Sequence, residues 1–101
     1  MDRLLSKQVL LIADTNPENV DVLKAILSPD FDIKVATDAK ETIKLALPPD
    51  MPALILLNIM MPTVDMYAVC RQLKADKTTR NIPILLLSEP TEEGEAAKGF
   101  E

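Results

Sequence analysis

Ala53-Leu-Ile-Leu-Leu-Asn58-Ile-Met-Met-Pro62 is the stretch that decides how this chain folds. Its unbroken apolar run, Leu54 to Leu57, marks a strand covered on both faces, because a strand with one wet face alternates. A single polar side chain, Asn58, stands at the end of the run. In open α/β sheets, ligands and chemistry collect at the carboxyl ends of the strands. Asn58 is therefore the first place to look for function.

Working outward, two further apolar runs end in polar residues: Val9–Ala13 at Asp14-Thr15, and Ile82–Leu87 at Ser88. Phe31-Asp32-Ile33-Lys34-Val35 alternates apolar with charged, which suits a strand at a sheet edge. Helical patterns fill the gaps. Asn16-Pro17 is a start signal, with the cap followed by proline at the first helical position. Val20, Leu23, Ile26 and Leu27 are expected on its inner face, and Ser28-Pro29-Asp30 should end it. Asp38 with Glu41 three residues on resembles a capping box for a second helix, lined by Ala39, Ile43, Ala46 and Leu47 and ended by Pro48-Pro49. A third helix from about Asp65 to Ala75 carries Met66, Val69, Cys70 and Leu73 at i, i+3, i+4, i+7. Thr91 can cap a last, weak helix through Phe100, in which Gly94 and Gly99 are unfavourable. The order is βαβαβαβα, which implies a parallel sheet with helices on both faces.

Composition narrows the function. The 101 residues, 48% of them hydrophobic, suit one domain spanning 1–101 with a packed core. A net charge of −5 and the absence of any basic run argue against nucleic acid as a partner. The acidity is strongest at the end, in Glu89, Glu92, Glu93, Glu95 and Glu101. No apolar run approaches the roughly 20 residues of a membrane span, and the start is too polar for a signal peptide. The single cysteine, Cys70, rules out an internal disulfide and fits a cytoplasmic protein. With no histidine, imidazole bases and most transition-metal sites are excluded. Only Gly94 and Gly99 are present, too few for a P-loop or a dinucleotide fingerprint.

Taken together, L-L-I-A-D-T-N-P-E-N, L-I-L-L-N-I-M-M-P, C-R-Q-L-K, R-N-I-P-I-L-L-L-S and K-G-F-E resemble, in order and spacing, the motifs of a response-regulator receiver domain, the phosphoacceptor module of bacterial two-component signalling. The resemblance covers Val9 to Glu101. It implies a flavodoxin-like doubly wound parallel sheet, here with four strands in order 2-1-3-4. The chain ends at Glu101, before the family's fifth strand and helix, which are expected to be absent together with their lysine and aromatic switch residue. A trimmed piece of a longer protein would explain this.

The departures from the family pattern bear directly on function. Asn58 matches the family's phosphoacceptor aspartate, and an amide oxygen is a far poorer nucleophile than a carboxylate. The family's acidic pair matches Asp14 and Thr15, so the member that usually binds Mg²⁺ directly is a neutral hydroxyl. Mg²⁺ prefers anionic oxygens. Asp14 and the Met60 backbone carbonyl remain as candidate ligands of a weak or absent metal site. Ser88 matches the switch hydroxyl, but Glu89 after it would repel a phosphoryl group, and Met66 stands where the family usually has glycine. The expectation is a pseudo-receiver: no enzyme, no catalytic residues, acting through protein partners such as a sensor kinase or an effector domain. The edge strand 82–87, lacking a neighbour, is expected to form a homodimer or a swapped assembly.

Alternatives accompany these assignments. Asn58 also fits a plain turn cap, Asp14 a residue orienting the first loop, Ser88 an ordinary cap, and Cys70, Met60 and Met61 core filling. A receiver with residual Mg²⁺-dependent response through Asp14 is the second reading. A haloacid-dehalogenase-like phosphatase is a third, weakened because the second acid it needs falls at Asn16.

Overall fold

The computed structural model describes residues 7–58 and 65–87. Four parallel strands, β1 (Gln8–Ala13), β2 (Phe31–Ala36), β3 (Leu54–Asn58) and β4 (Ile84–Leu87), lie in the order β2-β1-β3-β4. Between them run α1 (Pro17–Leu27), α2 (Ala39–Ala46) and α3 (Met66–Ala75). This is the flavodoxin-like order expected from the alternating pattern. The helix expected to follow Thr91 lies outside the described residues.

The helix starts follow their capping residues. Asn16 Oδ1 accepts the Glu18 N–H at 2.9 Å, with Pro17 opening α1. Asp65 Oδ1 accepts the Ala68 N–H at 3.1 Å at the start of α3. Asp38 Oδ1 accepts the Glu41 N–H at 2.7 Å, but the capping box is not closed on itself. Glu41 Oε1 accepts from the Thr37 backbone at 3.0 Å instead of from Asp38.

The core divides at the sheet. Alternation along each strand sends Leu11, Ala13, Ile55, Leu57, Ile84 and Leu86 to one face, where they meet Ala46 of α2 and Met66, Val69, Cys70 and Leu73 of α3. Leu10, Ile12 and Leu56 point the other way, toward Val20 of α1. The stripe expected on α3 is buried at all four positions.

Two expectations need correction. Ile26 belongs not to the inner face of α1 but to its outer one, 63% exposed, one turn from Val22 at 58%. The inner face is carried by Val20, Leu23 and Leu27. Strand β4 begins at Ile84 rather than Ile82, because the Ile82 N–H closes a turn onto the Thr79 carbonyl and proline 83 has no N–H to donate. Ile82 is nonetheless buried below α3. Two fully buried threonines were not foreseen. Thr42 donates its hydroxyl to the Asp38 carbonyl at 2.7 Å, and Thr79 to the Leu73 carbonyl at 2.6 Å, so each enters the interior with its hydrogen bond made.

Candidate functional site

Register alone brings the candidate residues together. Ala13 pairs with Leu57 across β1 and β3, so Asp14 and Asn58, the next residue on each strand, sit side by side at the carboxyl edge. Asn58 in turn is level with Leu87 of β4. Ser88, which follows Leu87 in sequence, lies outside the described residues, as do Met60 and Glu89.

Asp14 is 2% exposed. Its backbone N–H continues the pairing with β2 by donating to the Ala36 carbonyl at 3.0 Å, which fixes the direction of its side chain. Oδ1 accepts the Asn16 N–H at 2.9 Å, an Asx turn that leads the chain from β1 into α1. The loop-orienting role is therefore real. The ion pairs among the described residues, Lys34–Asp50 at 3.8 Å and Arg71–Asp65 at 4.0 Å, lie elsewhere, so no described cation neutralises Asp14. Asn58 is also buried, at 9% exposure, closing β3. Thr15, by contrast, is exposed and makes no side-chain hydrogen bond among the described residues.

The electrostatics are those of a single buried carboxylate next to an amide. Among the described residues no three His, Cys, Asp or Glu side chains are grouped as metal ligands. A groove of about 500 Å³ between α2 and α3 is lined by Asp38, Ile43, Asp65 and Val69 among others, and includes neither Asp14 nor Asn58. Cys70 is buried on the inner face of α3, as a core residue is. No helix among the described residues is long and apolar enough to cross a membrane.

Comparison with known proteins agrees with this geometry. The family model described as the response regulator receiver domain matches residues 10–101. The response regulator PleD of Caulobacter vibrioides is 37% identical over 93 residues, covering 91% of this chain but only 20% of PleD. The chain thus spans about a fifth of that relative's length. Among solved structures, the N-terminal domain of a response regulator receiver protein from Methanoculleus marisnigri is 33% identical with a TM-score of 0.74, covering 89% of this chain and 75% of that one. The receiver domain of the sensor histidine kinase PA1611 from Pseudomonas aeruginosa, described with a magnesium ion coordinated in its active site cleft, is 25% identical with a TM-score of 0.76 and covers 89% of this chain and 74% of its own. Sheet order, the meeting of strand ends at Asp14 and Asn58, and the family match converge: the chain belongs to the response regulator receiver domain family.

Proposed function

We propose that this receiver is a pseudo-receiver of a two-component phosphorelay, which keeps the fold but is not switched by phosphorylation. The observation that carries this is Asn58 at the end of β3, the strand end where the family pattern has its phosphoacceptor. Phosphoryl transfer to a receiver needs an oxygen nucleophile that can displace the donor's leaving group. The amide oxygen of Asn58 carries no full negative charge, and phosphorylating it would give a cationic imidate rather than an acyl phosphate. Asp14 is the carboxylate that remains beside it, with one oxygen held by the turn it forms.

What remains to the domain is contact. Val22 and Ile26 stand one turn apart on α1, and Tyr67 on α3 is 43% exposed; these are the large apolar side chains that the described residues leave in water. Strand β4 is the outer strand of the described sheet, and its Leu85 and Leu87 are only half-buried. We read the domain as a cytoplasmic, non-enzymatic interaction module whose partners are a sensor kinase, an effector domain or a second copy joined along β4.

The test is intact mass after incubation with acetyl phosphate and MgCl₂. No acid-labile phosphoryl adduct is expected. A stoichiometric adduct would overturn the reading and direct attention to Asp14. Light scattering then checks the assembly: a monomer at every concentration would remove the β4 dimer.

A further inference from the structure

The carboxyl edge departs from the receiver family's sequence pattern at two acidic positions, Thr15 and Asn58, and their surroundings are unlike each other. Mg²⁺ takes six oxygens in near-octahedral array, keeps several waters and needs carboxylates to hold the rest. Here the donors on adjoining strand ends are Asp14, with one oxygen occupied by the Asn16 N–H, and the neutral amide of Asn58. The donor set does not fit the ion. We propose that this cleft does not hold Mg²⁺, and that Thr15, rather than Asn58, is the position that decides it.

The asymmetry between the two positions is one of burial. Thr15 is exposed and its hydroxyl is tied to nothing among the described residues. A carboxylate placed there would stay hydrated until a cation arrived, and no hydrogen bond among the described residues would be broken. It would adjoin Asp14, raising the charge on the cleft from one carboxylate to two. Asn58 is buried and not without a partner. A carboxylate there would place a second charge in the interior beside Asp14, and both desolvation and repulsion would oppose it. Charge added at 15 is therefore free to act on a cation, whereas charge added at 58 first destabilises the fold and only then attracts one.

This inference rests on the pseudo-receiver reading, but it can fail separately, because the metal is measured with no phosphodonor present. The experiment compares the wild-type chain with Thr15→Asp, Thr15→Asn and Asn58→Asp. Thermal midpoints are recorded across a MgCl₂ series, with NaCl at matched ionic strength as reference, and affinities are taken by calorimetry. The wild type and Thr15→Asn should show the same midpoint in both salts. Thr15→Asp should gain a Mg²⁺-specific rise, with an affinity about tenfold or more above wild type. Asn58→Asp should melt below wild type in NaCl and recover part of the loss in MgCl₂. Should Thr15→Asp fail to fold, Thr15→Glu supplies the same charge from the same exposed position. A Mg²⁺ response in the wild type equal to that of Thr15→Asp would overturn the proposal. So would a folded Thr15→Asp with no response, or tighter binding by Asn58→Asp than by Thr15→Asp.

Discussion

The two faces of the sheet make an instructive pair. On one, α2 and α3 cover Leu11, Ala13, Ile55, Leu57, Ile84 and Leu86, all nearly or wholly out of water. On the other, α1 packs against Leu10, Ile12 and Leu56, while Leu54, Leu85 and Leu87 stay only partly covered. Both faces have the apolar composition expected of a doubly wound sheet. Among the described residues the difference lies in how many helices stand over them. Where two helices lie side by side, alternation along the strands is enough to give full burial. Among the described residues one helix lies on this face, and Leu54, Leu85 and Leu87, away from it, are only partly buried. The first face is the more fully buried, and the second is the one that the described residues leave partly open.

The largest test of this contrast is a pair of leucine truncations. Leu57→Ala, in the two-helix face, should lose about 2–5 kcal/mol of stability, because removed contacts and a residual cavity add. Leu87→Ala, at the edge of the other face, should lose roughly 1 kcal/mol, since its surface is already partly wet. Equal losses in urea unfolding would mean that the second face is as closed as the first.

Next is Thr79→Val, which keeps volume but leaves the Leu73 carbonyl without its 2.6 Å donor beneath α3. About 1–2 kcal/mol should be lost. A third test asks whether the contrast reaches the helix ends. Asn16→Ala removes the cap of α1 and Asp65→Ala that of α3; each should lose about 1 kcal/mol, irrespective of face. A much greater effect at Asp65 would show that capping is coupled to burial.

The smallest effect is at Asp76, on the turn leading out of α3. Hydrogen bonds from the Thr78 hydroxyl and N–H lower its carboxyl below the ordinary aspartate value. A folded-state pKa below the unfolded one means that the contribution is present above the unfolded value and fades as pH falls through the folded value. It should therefore begin to fade near pH 4 and be gone once the pH is below the folded-state value. A carboxyl NMR titration should show Asp76 moving back up in Thr78→Ala. No change would detach the turn from the electrostatics of that face.

Much of this was readable in the chain itself. Apolar runs ending at Asp14, Asn58 and Ser88 placed three strand ends, and the alternation of Asp32 and Lys34 marked β2 as an edge, which it is. Asn16, Asp38 and Asp65 cap the helices they precede, because capping is a local matter of one side chain and one or two N–H groups. What failed to show was whatever depended on the number of elements overhead. Ile26 keeps helical spacing with Val20 and Leu23 and reads as core, but none of the described elements lies over it, so the same spacing leaves it in water. Thr42 and Thr79 read as surface residues, since the carbonyls that satisfy their hydroxyls are visible only once the backbone is folded. At the site, residue identity and strand register were enough to bring Asp14 beside Asn58. The burial that separates Asn58 from Thr15 had no signature in the sequence.

The central claim is that the fold persists while the phosphoryl switch does not. The most direct measurement is the amide ¹H–¹⁵N spectrum of the chain recorded with and without MgCl₂ and beryllofluoride, which mimics an acyl phosphate on an aspartate. The account predicts superimposable spectra at Asp14, Thr15, Asn58 and along β4. Saturable shifts concentrated at those strand ends would contradict it, and would mean that the cleft still accepts a phosphoryl group.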